Sequence, residues 1–261
     1  DMLGDVLMHR VKANDVVEIG NFEVEFIHAS HSLVDCFSLA IHTPVGTIIH
    51  TGDYKIDDTP VIGKPYDLKT LGRIGDEGVL ALLCDSTNAT VPGRTPSEMA
   101  VIPAFEEIFE QTEGRLIVST FSSSMHRLQI VFDVAHKYGR RVCVIGRSMI
   151  KNIEIAEEQG LLKIPHGTAI DLSGSRALDD DEICYLVTGS QGELRAALWN
   201  MATANFKGIE VEKGDTVILS ARIIPGNEKG ISRLIGHLYK RGANIIEEKR
   251  RLVHVSGHAS Q

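Results

Sequence analysis

The sequence predicts an α/β protein in two parts, an antiparallel β-meander followed by a mostly parallel sheet with helices on both faces. Three observations predict this fold. Short segments of strand-like pattern follow one another closely in the first quarter of the chain. From Arg115 onward, strongly apolar strand-like segments alternate with helix-like ones. The 261 residues, 43% of them hydrophobic, are sufficient for one large core or two smaller ones.

The first part of the chain reads as consecutive strands joined by short turns. These predicted strands cover residues 17–19, 22–28, 37–42 and 47–50. A connection rich in Gly, Pro and Asp follows at 57–71. The almost continuously apolar segment 78–84 comes next, and we predict that it is a strand buried on both faces.

Strands and helices alternate in the second part. Ser97 is the predicted N-cap of a first helix, which ends near Gly114. Further helices are predicted at 125–138, 148–159, 193–203 and 227–241. Strands are predicted at 116–120, 141–145, 183–187, 216–220, 244–247 and 252–255. Since the connections are short, we expect parallel strands with helices on both faces.

Charge and cysteine content restrict the function classes. The net charge is −8, and residues 1–95 carry 7 basic against 14 acidic side chains, whereas 96–261 carry 20 against 21. This asymmetry indicates two units of different chemistry, and it argues against broad adhesion to nucleic acid while allowing a local basic groove. No apolar run is long enough to cross a bilayer. Four scattered cysteines without a Cys-x-x-Cys pair favour the reducing cytoplasm.

A histidine and a carboxylate follow the ends of two predicted strands of the meander, and neighbouring strand ends can bring such side chains together. His31 comes shortly after the strand at 22–28, and Asp53 comes shortly after the strand at 47–50. Imidazole nitrogen and carboxylate oxygen are ligands that zinc accepts, and a carboxylate can bridge two ions. A hydrogen bond between two polar side chains at strand ends accounts for the same pattern, so both interpretations stay open.

Two later segments are candidate anion sites. Ser122, Ser123 and Ser124 connect a predicted strand directly to a helix, where backbone N–H groups and hydroxyls suit a phosphate, although one serine would also serve as an ordinary N-cap. At 254–260 an apolar segment breaks at a glycine and presents His258 beside two serines, which suits a general acid. Because the carboxyl ends of parallel strands meet at one edge, both segments can face one ligand.

Taken together, seven ordered motifs resemble those of the ribonuclease J family, in the β-CASP branch of the metallo-β-lactamase superfamily. They include Ser-His-Ser, His-Thr-Gly-Asp, Asp-Ser-Thr-Asn and His-Val-Ser-Gly-His-Ala-Ser. The motifs lie at residues 30–32, 50–53, 83–88, 120–129, 188–193, 224–228 and 254–260.

The resemblance implies a role for four individual residues. His31 corresponds to a histidine ligand of one zinc ion, and Asp53 to the aspartate that bridges two. Asp85 corresponds to an acidic residue near the metal centre that orients ligands or water. His258 corresponds to the histidine that contacts the scissile phosphate and protonates the leaving oxygen. With Asp53 and Asp85 it forms the implied catalytic set.

The resemblance also implies which residues bind the nucleic acid. The implied substrate-binding residues are Ser122, Ser123, Ser124, His254, Val255, Ser256, Gly257, His258 and Ser260. Single-stranded RNA would enter between the two units of the chain, where hydroxyls and backbone N–H groups would hold its phosphates. From their position in the sequence, Arg127 and Arg147 are candidates for further phosphate contacts.

The fold and activity implied by the resemblance are specific. Residues 1–95 would form part of a metallo-β-lactamase αββα sandwich, and 96–261 an inserted β-CASP domain. The activity would be Zn²⁺-dependent 5′-to-3′ exonuclease and endonuclease action on single-stranded RNA in rRNA processing and mRNA decay. The implied protein is cytoplasmic, independent of membranes, assembled as a homodimer or tetramer, and associated with other RNA-decay proteins.

Two family segments are missing from the sequence, namely His-x-His-x-Asp-His and the later His-Gly-Glu, which supply most of the zinc ligands. We therefore expect an internal fragment that exposes apolar surface in its first unit, binds zinc weakly alone and cleaves little RNA. The alternatives are another β-CASP hydrolase, either a cleavage-factor-like endonuclease or a DNA-processing enzyme, and a catalytically silent RNA-binding scaffold. His31, Asp53 and His258 count against the scaffold.

Overall fold

Two β-sheets organise the chain in the computed structural model, which describes residues 8–206 and 208–261. Residues 1–7 of the predicted first unit lie outside the described residues. The first sheet has the order β1-β2-β3-β4-β5. Its first four strands are antiparallel neighbours, as predicted, and β5 is parallel to β4. The strands are β1 (Val16–Ile19), β2 (Phe22–Ala29), β3 (Cys36–Thr43), β4 (Gly46–His50) and β5 (Ala81–Leu83).

A helix covers one face of this sheet. Helix α1 (Leu68–Glu77) buries Ile74 in a small cluster that contains Ile27 and Ile49 from the strands. The Asp67 side chain caps its first turn by accepting a hydrogen bond from the backbone N–H of Thr70. The prediction of an irregular connection through residue 71 is therefore wrong at its end, because this cap starts a helix there.

The prediction that 78–84 is a strand buried on both faces is also wrong. Only Ala81–Leu83 form the strand, and Leu80, Leu82 and Leu83 are 60%, 59% and 54% exposed. The physical reason is that β5 is the edge strand of its sheet and is not covered by another layer of the described residues. The expectation that the first unit exposes apolar surface is confirmed.

The second sheet is entirely parallel, with the order β11-β10-β6-β9-β7-β8. Three strands have the predicted bounds, and two more differ only at their ends, because each contains a run of two to five consecutive apolar residues. The strands are β6 (Leu116–Ser119), β7 (Arg141–Ile145), β8 (Ala169–Ile170), β9 (Ile183–Val187), β10 (Thr216–Leu219) and β11 (Asn244–Glu247).

Helices pack on both faces of this sheet, as predicted. One apolar cluster unites the sheet with α2 (Ile102–Gln111), α3 (Met125–Lys137) and α4 (Arg147–Glu158). A second cluster on the opposite face unites it with α6 (Ala197–Ala202) and α7 (Glu228–Lys240). Among the described residues, no helix is both long and apolar enough to span a bilayer.

The helix ends are partly as predicted. Ser97 is an N-cap, because its hydroxyl accepts from the backbone N–H of Met99 at the start of a 3-10 turn, Glu98–Val101, that continues into α2. The helix predicted at 193–203 begins only at Ala197, after turns. The short strand β8 and the single-turn helix α5 (Leu172–Ser175) were not predicted, since two to four residues carry no periodicity.

The predicted last strand at 252–255 is not observed. These residues are extended but join neither sheet in the described part of the chain. The carbonyl of Val253 instead accepts hydrogen bonds from the side chains of Arg127 and Ser220, at 2.6 and 2.7 Å. Side-chain donors thus replace a backbone ladder, and the apolar pattern that suggested a strand reflects the burial of Val253 and Val255.

Candidate active site

Three side chains from distant parts of the chain converge where the two sheets meet. His31 follows β2, Asp53 follows β4, and His258 lies at a bend in the irregular segment after β11. One potential ligand atom from each residue lies within 4.8 Å of the other two. The distance between His31 Nε2 and Asp53 Oδ2 is 4.0 Å. β2 and β4 run in the same direction on either side of β3, so the two residues leave the same edge of the sheet, and they are joined there by a residue more than 200 positions away in the sequence.

The orientation of His31 is determined by a backbone carbonyl. Its Nδ1 lies 2.8 Å from the carbonyl oxygen of Gly257, and because a carbonyl only accepts, Nδ1 carries the hydrogen. Burial lowers the pKa of His31, which favours the neutral ring. In that tautomer the lone pair is on Nε2, the nitrogen nearer to Asp53. In metal sites, a hydrogen bond from the other ring nitrogen commonly fixes the tautomer and orientation of a histidine ligand in this way.

Gly257 is required by the close approach of two segments. A Cβ at this position would collide with Ser32 Oγ and would lie 2.8 Å from Cε1 of His31. The absence of a side chain lets the backbone before His258 pass directly over His31. As a result, the rings of His31 and His258 are 4.9 Å apart between centroids.

Asp85 positions the ring of His258. Its Oδ2 accepts a hydrogen bond from His258 Nδ1 at 2.7 Å, and its Oδ1 accepts from the backbone and hydroxyl of Thr87 at 2.9 and 2.7 Å. Burial raises the pKa of Asp85, but the hydrogen bonds from Thr87 and His258 lower it to about 2. The carboxylate is therefore ionised at neutral pH, and Nε2 is the nitrogen of His258 left free for chemistry.

Further side chains, which the sequence did not single out, hold the segment that contains His258. Asn88 Nδ2 donates to Ser256 Oγ at 2.9 Å and to the His258 carbonyl at 3.2 Å. The Thr95 hydroxyl donates to the same carbonyl at 2.8 Å and is hydrogen-bonded to Ser260 Oγ. Asn88 belongs to one of the quoted motifs, which is the available signal for it, whereas Thr95 belongs to none.

A buried ionic cluster lies beneath this segment and corrects one expectation. Lys55, Glu98 and Arg127 each have a side chain only 1% exposed. Lys55 Nζ contacts Glu98 Oε1 at 3.4 Å and the Ser256 carbonyl at 3.3 Å, while Arg127 donates to Glu98 Oε2 at 2.8 Å. Arg127 is thus a structural residue, and the expectation that it contacts RNA phosphates is wrong because its guanidinium is buried.

The predicted serine cradle lies beside the same site. The turn formed by Ser122 and Ser123 leads into Ser124, which precedes α3. The backbone N–H of Met125 donates to the Ser32 carbonyl at 3.1 Å, which places this turn next to His31. Within the described structure the Ser124 side chain makes no capping hydrogen bond to α3, so the ordinary N-cap interpretation is not what is observed.

Two other predicted substrate-binding residues have little exposed side chain. Burial and the nearby Arg127 lower the pKa of His254 to about 3, so its half-buried ring is neutral at physiological pH. The side chain of Val255 belongs to the apolar core, so only its backbone can face a ligand. Arg147 is exposed at the start of α4 and lines a separate cavity.

The residues at the convergence fit a zinc ion by donor type. Zinc binds neutral imidazole nitrogen and carboxylate oxygen, and His31 offers the former while Asp53 offers the latter. The Asp53 side chain is 67% exposed, which leaves the position accessible from solvent. When bound, such an ion supplies Lewis-acid chemistry toward a phosphoryl oxygen.

Comparison with known proteins identifies the family that this chain resembles. Residues 113–238 match the family model for the β-CASP domain of ribonuclease J. The ribonuclease J of Synechocystis is 46% identical over 261 residues, which are 100% of this chain and 41% of that protein. The ribonuclease J of Helicobacter pylori is 45% identical over 245 residues, covering 94% of this chain and 36% of that protein. The chain thus spans less than half the length of these relatives.

A solved structure supports the fold alone. A crystal structure of a protein of unknown function from Enterococcus faecalis superposes with a TM-score of 0.66 at 16% sequence identity, covering 97% of this chain and 57% of that one. The Synechocystis relative aligns with the whole of this chain, and the Enterococcus faecalis structure shares its fold. The chain therefore belongs to the ribonuclease J family, in the β-CASP branch of the metallo-β-lactamase superfamily.

Proposed function

We propose that this chain carries part of the active site of a zinc-dependent ribonuclease that hydrolyses single-stranded RNA. The observation that carries the proposal is the convergence of His31, Asp53 and His258 within 4.8 Å, with Asp85 holding the third residue by a 2.7 Å hydrogen bond. Phosphodiester hydrolysis needs charge stabilisation at the phosphoryl group and a proton for the leaving oxygen. These four side chains offer groups suited to both tasks.

The proposed roles follow from which atoms are already engaged. The lone pair of His31 Nε2 and the carboxylate of Asp53 would hold the ion, because His31 Nδ1 is used by Gly257. Nδ1 of His258 is used by Asp85, so a proton would leave from Nε2 toward the leaving oxygen. Ser122–124 and the backbone of 256–258 would bind phosphates beside this site.

The proposal extends to the finer activity that the family resemblance implies. It comprises 5′-to-3′ exonuclease and endonuclease action in rRNA processing and mRNA decay, in the cytoplasm, by a dimer or tetramer that associates with other RNA-decay proteins. RNA is favoured as substrate because the relatives are named ribonuclease J.

The test uses an exchange protein, in which the matching segment of the Synechocystis relative is replaced by this chain. We expect it to cleave single-stranded RNA, to lose activity on chelation and to regain it with zinc. RNA and DNA oligonucleotides with 5′-phosphate or 5′-hydroxyl ends distinguish a ribonuclease from a DNA-processing enzyme. A folded exchange protein that binds zinc and RNA without cleaving would contradict the proposal and favour the silent scaffold.

The isolated 261-residue chain is expected to bind zinc weakly and to cleave little or no RNA. Only His31 and Asp53 of the implied ligands are present, and two protein ligands rarely hold zinc well. Zinc titration by calorimetry and an RNA cleavage assay measure both properties. Robust metal-dependent cleavage by the purified chain would refute this prediction.

Replacing Asp53 by alanine is expected to remove or disorder the metal site of the exchange protein. The substitution deletes the carboxylate that would bridge the ions, and metal analysis after gel filtration measures the outcome. Asp58→Ala is the matched control, because Asp58 is an exposed aspartate that pairs with Arg94 and should leave the zinc content unchanged. Two full equivalents of zinc in the Asp53 variant would exclude the bridging role.

A further inference from the structure

A cavity of about 990 Å³, separate from the candidate active site, opens at the carboxyl ends of β7 and β9. We call it the β7–β9 pocket. These strands are parallel neighbours, with Ile145 beside Val187. The helix after β7 packs in the apolar cluster on one face of the sheet, and the helix after β9 packs in the cluster on the other. In open parallel sheets, ligands bind at such a divergence, where successive connections leave on opposite faces.

Two cationic side chains line this pocket. Arg147 and Arg195 are both exposed, and in the part of the chain that the structure describes neither guanidinium has an ion-pair or hydrogen-bond partner. Asn200 donates from its amide to the Arg195 carbonyl at 3.3 Å, which ties the loop carrying that arginine to α6. Unpaired guanidinium groups that converge on one cavity suit a phosphate, which they bind through paired N–H donors.

The one carboxylate among the lining residues is already in use. Asp171 accepts from the Gly174 N–H at 2.7 Å and from the Ser173 hydroxyl at 2.9 Å, where it caps α5. Hydrogen bonds to its ionised form lower the pKa of Asp171, so its charge is stabilised locally. Arg147, Arg195 and Asp171 together therefore give the lining of the pocket one net positive charge.

One part of the lining is apolar and suits a flat ring. Ile170, Leu172 and the half-buried Phe206 lie on the pocket wall. Aromatic side chains bind nucleobases by stacking, with little dependence on the base. A volume of 990 Å³ is at the upper end of the roughly 300–1,000 Å³ usual for small-molecule sites, so it accommodates a nucleotide.

The turn that forms the pocket floor depends on a glycine. Gly146 has a φ of +136°, and a Cβ there would lie 2.8 Å from the Thr188 side chain. This close approach brings the end of β7 and the residue after β9 together, and it presents the hydroxyls of Ser148 and Thr188 to the same cavity. Part of the polar lining of the pocket thus lies directly after the ends of β7 and β9.

We propose that the β7–β9 pocket binds a phosphorylated nucleoside, with Arg147 and Arg195 on the phosphate and Phe206 against the base. None of its lining residues belongs to the site of His31, Asp53 and His258, so the inference goes beyond the proposed function. The nucleoside phosphate can be a free nucleotide or the phosphorylated end of an RNA strand, since both present the same chemistry.

The test titrates the full 261-residue chain with AMP, adenosine and a 5′-phosphorylated oligoadenylate, followed by calorimetry. We expect binding that depends on the phosphate and weakens at least about tenfold in the Arg147→Met/Arg195→Met double variant. Arg233→Met, on the exposed surface of α7, is the matched control and should bind like the unchanged chain. Phe206→Ala should weaken binding without removing the dependence on phosphate.

The outcomes distinguish a free nucleotide from an RNA end as the ligand, and they distinguish the β7–β9 pocket from the candidate active site. Arginine-dependent binding of AMP supports a free nucleotide, and arginine-dependent binding of the oligonucleotide alone supports an RNA end. The dependence of binding on Arg147 and Arg195 is measured without zinc and without cleavage, so a failed ribonuclease proposal does not decide this one. Equal affinity of the double variant and the unchanged chain for every ligand, or no binding at all, would overturn the proposal.

Discussion

Replacing His258 by alanine is expected to lower the turnover of RNA by the exchange protein about 10²–10⁴-fold, the usual loss for a missing general acid. Nδ1 of this residue is held by the ionised Asp85, so the ring is oriented with Nε2 free. The same ring lies beside His31, at 4.9 Å between centroids, within the group of residues that can hold a metal. Single-turnover cleavage at saturating RNA measures the loss.

Metal analysis of the same variant separates two roles for His258. A proton donor can be removed without loss of zinc, whereas a ligand cannot. We expect the zinc content to stay unchanged, and a variant that loses both zinc and activity would assign His258 to the metal instead. His166→Ala is the matched control, because His166 is an exposed histidine outside the site and its loss should change neither quantity. An unchanged rate in the His258 variant would remove it from the mechanism.

Asp85→Asn tests whether the carboxylate acts through His258. Asparagine keeps the shape but removes the charge that accepts from Nδ1, so we expect a smaller loss of turnover than in the His258 variant. In the double variant Asp85→Asn/His258→Ala, the loss should equal that of His258→Ala alone, since a positioning residue has no effect without the group it positions. Additive losses would give Asp85 an independent role.

The second sheet could be predicted because its signals are local. The strands β7, β9 and β11 have the predicted bounds, since each contains a short run of consecutive apolar residues, and the apolar residues of the intervening helices repeat with a period near 3.6. The segment 78–84 carries the same signal, yet its leucines are exposed. An apolar composition indicates that a strand is suited to burial on both faces. Whether the strand is buried depends on its place in the fold, and β5 lies at a sheet edge.

The candidate site could be predicted only in part. His31 and Asp53 follow β2 and β4, which run in the same direction on either side of β3, so their approach at one sheet edge follows from the meander. The contact between His31 and Gly257 spans 226 positions, and no local pattern encodes it. The position of His258 beside His31 and Asp53 is therefore implied only by the family resemblance. Lys55 and Glu98 were missed, because charged side chains are almost never fully buried unless paired, and these partners are 43 residues apart.

The cluster of Lys55, Glu98 and Arg127 connects the loop after β4 with α3, below the site. Lys55 belongs to the loop that carries Asp53, and Arg127 belongs to α3. Glu98 lies between them and pairs with both cations, and Asp57 supplies a second negative charge beside Lys55, at 3.6 Å. Lys55 additionally donates to the carbonyl of Ser256, so the cluster supports the segment that leads to His258. Removing the shared carboxylate should therefore weaken both units.

Glu98→Gln is expected to destabilise the 261-residue chain by about 3–5 kcal/mol, the usual cost of leaving a buried charge without its partner. Glutamine preserves the volume, so the loss reports the charge and not a cavity. Chemical denaturation followed by circular dichroism measures the free energy of unfolding. Glu106→Gln is the matched control, because Glu106 pairs with Lys137 at the surface and should contribute less than about 1 kcal/mol.

The pH dependence of this difference gives an independent check. Burial raises the pKa of Glu98, but the combined effect of Arg127 and Lys55 lowers it by more. The pKa of Glu98 in the folded chain is therefore below the ordinary value of 4.5. A lowered folded pKa means that the stabilisation is fully present above pH 4.5 and is lost as the pH falls through the folded pKa. The two proteins should therefore converge in stability on acidification, because protonated glutamic acid resembles glutamine. A difference that is no larger than that of the Glu106 variant, or that persists unchanged in acid, would show that the carboxylate charge does not hold the two units together.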